Sequence, residues 1–256
     1  MNLFGIFLIL AGLLIGSAID AAADRFARDE AWIMPRSRCR SCSRQLAWYE
    51  LLPVLSWVAA RGRCRTCRAP IGWSAPLSEI AGALTAAAAV LFTPTPELMF
   101  LTACFGWLLL ALAAIDFRTF LLPDGLNLAV CLGGALMVAL TRPGDWSMHL
   151  AGGVLGYGLL WTVEALYRRA RGRDGLGRGD AKLLGAIGIW VGAAGIPPVL
   201  LIASLSGIAA ALVISWRREM PLSGQSAIAF GPWIALGGYL VWIVQADPQR
   251  VFERIV

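Results

Sequence analysis

Two aspartates stand out because each lies where a long apolar run meets a charged segment. Asp116 closes the run LTACFGWLLLALAAI, and Asp180 follows two glycines in GLGRGD and precedes AKLLGAIGIWVG. A carboxylate at the edge of hydrocarbon is costly to keep, so its default interpretation is functional. Two carboxylates that face each other share a proton, and such a pair can activate water to attack a peptide carbonyl. The two residues therefore predict peptide hydrolysis, with proton-coupled transport as another use of the same groups.

Each aspartate also has a simpler interpretation. Asp116 could be an interfacial charge paired with Arg118, and Asp180 could be the N-cap of the helix that it begins. Asp20, near the end of the first apolar run, is predicted to be an interfacial charge. Two carboxylates at equal depth, one of them flanked by glycines, favour the functional interpretation for Asp116 and Asp180.

Four cysteines form a second constellation in a polar segment. Two Cys-x2-Cys pairs are separated by 21 residues, and the four positions are Cys39, Cys42, Cys64 and Cys67. Four thiolates with this spacing suit a structural Zn²⁺ site, and neighbouring arginines favour the thiolate form. The alternative is a set of reduced structural or redox-active cysteines. A segment of about 50 residues has a small core, which a bound metal would stabilise.

Other catalytic groups are scarce in this chain. It contains one histidine, His149, and one lysine, Lys182. A Ser-His-Asp triad or a histidine-based hydrolytic metal site therefore has no convincing place to form. Carboxylates remain the candidate catalytic groups.

The elements that must position these residues are membrane helices. The 256 residues are 58% hydrophobic and only 15% charged, with a mean hydropathy of +0.69. About 20 apolar residues cross a bilayer as a helix, and the runs lack the alternation of barrel strands. The sequence predicts an all-α polytopic membrane protein with about eight transmembrane helices, at residues 3–23, 76–93, 98–115, 125–141, 148–167, 181–196, 198–216 and 226–245.

Basic residues predict the orientation of these helices. Of the 22 Lys and Arg residues, 19 fall on one side of the predicted bundle and three, Arg142, Arg250 and Arg254, on the other. The positive-inside rule makes the first side cytoplasmic, with the cysteine segment and both aspartates on it and both termini periplasmic. Topology and anionic lipid account for the net charge of +6. Without a basic stripe interleaved with aromatics, membrane lipid is the expected partner and nucleic acid is not.

The chain divides into three predicted parts. Residues 1–23 form a first transmembrane helix that stays as an uncleaved anchor. Residues 24–75 form a small cytoplasmic zinc-binding insert. Residues 76–256 form the membrane-embedded domain that contains Asp116 and Asp180.

Several motifs in this order resemble one family. They are the paired-cysteine segment with PVLSW and RGRC, the segment IDFRTFLLPDGLN, the segment GRGDAKLL, and Phe230-Gly231-Pro232 near the C-terminus. In this arrangement the chain resembles the type IV prepilin peptidases, which are aspartic peptidases of the bacterial inner membrane, almost from end to end.

The resemblance implies a specific activity. The family cleaves the short basic leader from prepilins or pseudopilins of type IV pili, type II secretion systems or competence filaments, at the cytoplasmic face and just before the substrate's hydrophobic segment. Asp116 and Asp180 match the family's catalytic pair. Members with the cysteine segment commonly also methylate the new N-terminus using S-adenosylmethionine.

One region departs from the family pattern. After the first helix the family usually reads Gly-Ser-Phe-Leu-Asn, whereas this chain reads GSAIDAAADRFARDE, with Asp20 at the asparagine position. If this region serves methyl transfer, that activity is in question, while the peptidase motifs show no such change. The other candidate functions are a different GxGD intramembrane protease, against which the four-cysteine insert argues, and a carboxylate-based transporter or assembly factor.

Overall fold

The computed structural model describes residues 3–30, 36–172, 177–218 and 229–247. Within those ranges the chain is helical, with no strand. The long helices are α1 (Leu3–Phe26), α3 (Ser74–Phe92), α4 (Pro96–Thr119), α5 (Asp124–Thr141), α6 (Trp146–Arg171), α7 (Arg178–Arg218) and α8 (Gly231–Ala246). The insert between α1 and α3 contains a 3₁₀ turn at Trp48–Leu51 and the short helix α2 (Leu55–Ala59).

Six of these helices, α1 and α3 to α7, are long and apolar enough to cross a membrane, and α8 is a shorter apolar helix. The 18 residues of α5 and the 26 residues of α6 correspond to about 27 and 39 Å of helix, against a hydrocarbon core of about 30 Å. The polytopic all-α architecture predicted from the sequence is confirmed.

Helix α7 covers two of the predicted transmembrane segments, 181–196 and 198–216. The chain folds back within it at Gly192, where φ is 67°. A Cβ atom on Gly156 of α6 would lie 2.6 Å from the Leu184 carbonyl oxygen and 3.1 Å from Cδ1 of Ile196. Leu184 and Ile196 are 12 residues apart and would be separated by about 18 Å in a straight helix. The two halves of α7 are therefore antiparallel.

The position of this break differs from the prediction. The sequence placed it at Pro197, between two apolar segments, whereas Pro197 and Pro198 lie inside the second half of α7. The reversal needs a left-handed backbone conformation, which glycine adopts without the steric cost of a Cβ atom and which proline's fixed φ forbids.

Close backbone contacts hold the helices in register. A Cβ on Gly12 of α1 would lie 2.3 Å from the carbonyl oxygen of Gly82 in α3. A Cβ on Gly152 of α6 would lie 2.3 Å from the carbonyl oxygen of Gly188 in α7. Small residues at such crossings allow the backbones to approach and gain van der Waals contact, the main attraction between helices in lipid.

An aromatic cluster joins the helices that carry the two aspartates. Phe105 of α4 stacks on Trp190 of α7 with ring centroids 4.2 Å apart, and Trp242 of α8 meets the same indole edge-on at 5.3 Å. The Trp190 N–H donates to the carbonyl of Val130 in α5 at 2.8 Å, so a fourth helix is tied in. This buried core fixes α4, α5, α7 and α8 relative to one another.

The end of the bundle that adjoins the insert is called here the insert end. α1 finishes there and α3 starts there. α4 and α6 also end on this side, and α5, α7 and α8 begin on it. The opposite end is the far end. Because successive helices alternate in direction, the helix ends named above lie together at the insert end.

Candidate functional site

Asp116 lies in the last turn of α4, at the insert end. Its side chain is buried, and its carbonyl oxygen accepts a hydrogen bond from the N–H of Phe120, the left-handed residue that ends the helix. The backbone N–H of Gly231, the first residue of α8, faces the carboxylate. Its Oδ2 atom is buried without a hydrogen-bond partner among the described residues.

Asp180 is the third residue of α7 and is also buried. Its N–H donates to the carbonyl of Gly177 at 3.1 Å, and its carboxylate accepts from the N–H of Gly177. Only one half of a capping box is present, because the acid at the third helical position accepts the N–H before the helix, whereas Gly177 has no side chain to accept in return. The interpretation of Asp180 as the N-cap residue is therefore wrong, because Gly177 occupies the position before the helix.

The two carboxylates are near enough to repel each other electrostatically. Leu122 fills the space beside them. A Cβ on Gly179 would lie 3.0 Å from Cβ of Leu122, and a Cβ on Gly231 would lie 3.2 Å from Cδ1 of the same leucine. No sequence pattern pointed to Leu122, whereas Gly231 lies in the Phe-Gly-Pro motif.

Arg118 pairs with Asp20, so the simpler interpretation of Asp116 as a charge paired with Arg118 is wrong. The Arg118 guanidinium donates to Oδ1 of Asp20 and, at 2.6 Å, to the carbonyl of Ala114. Arg118 is two residues beyond Asp116, and positions that close point to different faces of a helix. No ion pair with Asp116 or Asp180 is formed by the described residues.

Asp20 is buried, which its prediction as an interfacial charge did not anticipate. Besides Arg118, it accepts from Arg40 of the insert at 3.0 Å, and Arg40 also contacts Asp24 at 3.1 Å. These ion pairs tie the end of α1 to the insert and to α4.

The four cysteines of the insert come together. Their sulfur atoms all lie within 4.8 Å of one another. Each pair sits in a tight turn closed by an isolated β-bridge, Arg38 with Gln45 and Arg63 with Pro70. The Sγ atoms of Cys39 and Cys67 are 3.8 Å apart. Tetrahedral zinc with bonds of about 2.3 Å requires neighbouring sulfurs about 3.8 Å apart, so the donor set fits Zn²⁺.

Backbone amides favour the thiolate form of two of these cysteines. The N–H groups of Cys67 and Thr66 face Cys64 and lower the pKa of its thiol to about 6. The N–H groups of Cys42 and Ser41 likewise lower the pKa of Cys39. A thiolate is the form that ligates metal.

A cleft of about 530 Å³ lies between the end of α1, the insert and the start of α3. Its lining includes Asp20, Trp57 and the buried Glu79, whose carboxylate accepts the N–H of Val54 at 2.7 Å. Arg44 also lines it, bound to Glu50 at 2.7 Å, with its Nε atom buried and unpartnered among the described residues. The volume and mixed charge suit a small zwitterionic ligand.

Two family models match this chain. Residues 10–93 match the Bacterial Peptidase A24 N-terminal domain, and residues 103–212 match the Type IV leader peptidase family. No solved structure matches it significantly.

Several curated proteins named prepilin leader peptidase/N-methyltransferase are similar to it. The protein from Dickeya chrysanthemi is 37% identical over 211 residues, which are 82% of this chain and 73% of the relative. The one from Burkholderia pseudomallei (strain K96243) is 37% identical over 260 residues, 91% and 82% of the respective chains. The one from Escherichia coli (strain K12) is 42% identical over 174 residues, 66% and 75%.

Proposed function

Because this chain belongs to the type IV leader peptidase family, we propose that it is a membrane aspartic endopeptidase that cleaves the leader of type IV prepilins or pseudopilins, with Asp116 and Asp180 as its catalytic pair. The observation that carries this assignment is the burial of both carboxylates at one end of the bundle, close enough to interact electrostatically and without a counter-cation among the described residues. The names of the relatives favour leader cleavage over another intramembrane protease or a transporter.

The chemistry needs one ionised and one protonated carboxyl group. The ionised group takes a proton from water as the water oxygen bonds to the carbonyl carbon of the scissile peptide, and the protonated group gives its proton to the carbonyl oxygen. When the tetrahedral intermediate collapses, the C–N bond breaks and the leaving nitrogen takes a proton. The leader leaves as a carboxylate, and the mature protein begins with a free amine.

The proposed orientation places the insert end in the cytoplasm. The basic residues of the insert, Arg118, Arg168 and Lys182 lie at that end, whereas Arg142 lies at the far end beside Gln245. The positive-inside rule then gives a multi-pass inner-membrane protein that contacts lipid, with its insert and aspartates cytoplasmic. Residues 1–2 and 248–256, predicted to be periplasmic, lie outside the described residues, and the division at residues 23 and 75 stays a prediction.

Two cofactors complete the proposal. Zinc would be held by the four cysteines and would hold the two turns of the insert together. S-adenosylmethionine, which supplies a methyl group to the new N-terminal amine, would occupy the cleft beside α1. There Glu79 offers negative charge to a sulfonium, and Arg44 offers an N–H donor to a carboxylate.

The test is cleavage of a prepilin by purified protein in liposomes, with the product weighed by mass spectrometry. We expect Asp116→Asn and Asp180→Asn each to lower the cleavage rate at least about a thousandfold, the scale of loss when one member of a catalytic unit is removed. Asp145→Asn, an exposed aspartate at the far end, is the matched control and should cleave at the normal rate. Normal processing by folded Asp116→Asn or Asp180→Asn protein would refute the assignment.

A further inference from the structure

A lateral groove of about 600 Å³ lies between α5 on one side and α6 and α7 on the other, and its lining reaches Lys182, two residues after Asp180. Although α5 and α6 are consecutive, they make little direct contact, because α7 packs against both. Three glycines are in its lining, Gly153 and Gly158 from α6 and Gly185 from α7. Gly153 and Gly185 allow α6 and α7 to pack closely, since a Cβ on either would lie 2.9 Å from the other helix.

The walls of the groove are apolar and accessible. Leu128 of α5 and Val154 of α6 are more than half exposed within it, at 57% and 66%. A Cβ on Gly158 would meet nothing within 4 Å, so this position faces open space. A concave apolar surface between membrane helices fits an apolar helix that enters from the side.

The insert end of the groove is polar. Asp124 and Lys182 form an ion pair there at 2.6 Å, and the Asp124 carboxylate is 74% exposed. Asp124 does not cap α5 through its side chain; Pro123 precedes the helix and Asp124 is its first residue. This exposed ion pair makes the mouth of the groove polar, with the charge of Asp124 offset by that of Lys182.

Asn127 connects the groove with the aspartates. It lines the groove, is only 5% exposed, and its Oδ1 atom has no hydrogen-bond partner among the described residues. Its Nδ2 donates to the carbonyl of Leu122 at 3.5 Å, and Leu122 packs beside the glycines next to Asp180 and Asp116. Buried polar atoms are nearly always satisfied, so this amide oxygen is available to a donor from a bound water or ligand.

We propose that this groove binds the apolar segment of the prepilin substrate as a helix, with the Asn127 amide oxygen accepting a backbone N–H near the scissile bond. The inference rests on the proposed function. It places the substrate helix against α5 and α6, with its cleavage site and its basic leader towards the insert end. A lipid chain is the other apolar occupant, and the experiment distinguishes the two.

The direct test is photo-crosslinking in liposomes. A photoreactive residue is placed at Leu128 or Val154 in Asp116→Asn protein, which retains uncleaved prepilin. Matched positions are Leu132 of α5 and Leu155 of α6, which are 59% and 53% exposed but do not line the groove. We expect the groove positions to crosslink prepilin at least about tenfold more than the control positions. Equal crosslinking at all four positions would assign the groove to lipid and overturn the proposal.

A second test measures cleavage kinetics after a bulky side chain has been placed in the groove. Gly158→Trp should raise KM at least about tenfold with kcat nearly unchanged, because it removes binding without touching the reacting groups. Leu155→Trp, on the same helix, should change neither constant. If Gly158→Trp protein cleaves normally while Asp116→Asn abolishes cleavage, the groove proposal fails and the peptidase assignment stands. If Asp116→Asn protein still cleaves, the peptidase assignment fails.

Discussion

Asp116 and Asp180 both lie at the insert end, although one is at the end of its helix and the other at the start. Asp116 is in the last turn of α4, beside Gly231 of α8, and Asp180 is in the first turn of α7, after Gly179, which lies against Leu122. Since a buried charge without a partner is costly, the pair persists only because the surrounding helices hold it there. Glycines on both sides, Gly177 and Gly231, provide N–H groups and leave room for the carboxylates.

Substitution of Gly231 tests how closely the Asp116 carboxylate is packed. A Cβ atom there would lie 2.7 Å from Oδ2 of Asp116, closer than real contacts allow. We expect Gly231→Ala to displace the carboxylate and lower kcat by about a hundredfold, since a shift of about 1 Å in a catalytic group can cost that much. The measurement is steady-state prepilin cleavage.

Gly144→Ala is the matched control, because a Cβ atom on Gly144 meets nothing within 4 Å. It should cleave like the unaltered protein. Gly231→Ala protein with unchanged kcat would mean that the exact position of the Asp116 carboxylate does not limit the reaction.

At the scale of elements, what could be predicted depended on sequence separation. Spacing alone indicated the four-cysteine cluster, and basic loops indicated that the two aspartates share one side. The pairing of Asp20 with Arg118 joins residues 98 positions apart, which no local pattern encodes. The break of α7 at Gly192 was misplaced because proline is the stronger helix-breaking signal in sequence, whereas the chain reversal required a positive φ.

The insert is the element whose stability should depend on metal. Its two turns are closed by backbone hydrogen bonds such as Cys39 N–H to Arg44 carbonyl at 2.9 Å, with little apolar core between them. We expect one zinc per chain, lost in Cys64→Ser protein, together with faster amide hydrogen exchange throughout the insert. Elemental analysis and exchange measured by mass spectrometry check both.

Cys131→Ser provides the control, since Cys131 lies in α5, outside the cluster. It should keep full zinc content and normal exchange in the insert. Cys64→Ser protein with full zinc, or metal-free protein with an equally protected insert, would contradict the prediction.

At the scale of the whole molecule, the chain has two candidate sites that differ in chemistry. The aspartates lie among α4, α7 and α8, whereas the cleft lies among α1, the insert and α3. Asp20 joins the insert to α4, because its partners are Arg40 of the insert and Arg118 of α4. The departure from the family pattern at Asp20 therefore falls in the lining of the cleft and not beside the aspartates.

This separation predicts that methyl transfer can be lost without loss of cleavage. Glu79→Gln removes a buried negative charge from the cleft but keeps an oxygen that can accept the Val54 N–H, so the insert should stay docked. We expect binding of S-adenosylmethionine, measured by calorimetry, to weaken at least about tenfold, the scale of one lost charge interaction. Methylation of a precleaved pilin should fall with it, while prepilin cleavage stays within about twofold. Asp116→Asn protein should show the reverse: normal binding of S-adenosylmethionine and normal methylation of the precleaved pilin, with no cleavage.

A Glu79→Gln protein that binds and methylates normally would place the methyl donor outside this cleft. Parallel loss of both activities in either variant would show that the two sites are not independent.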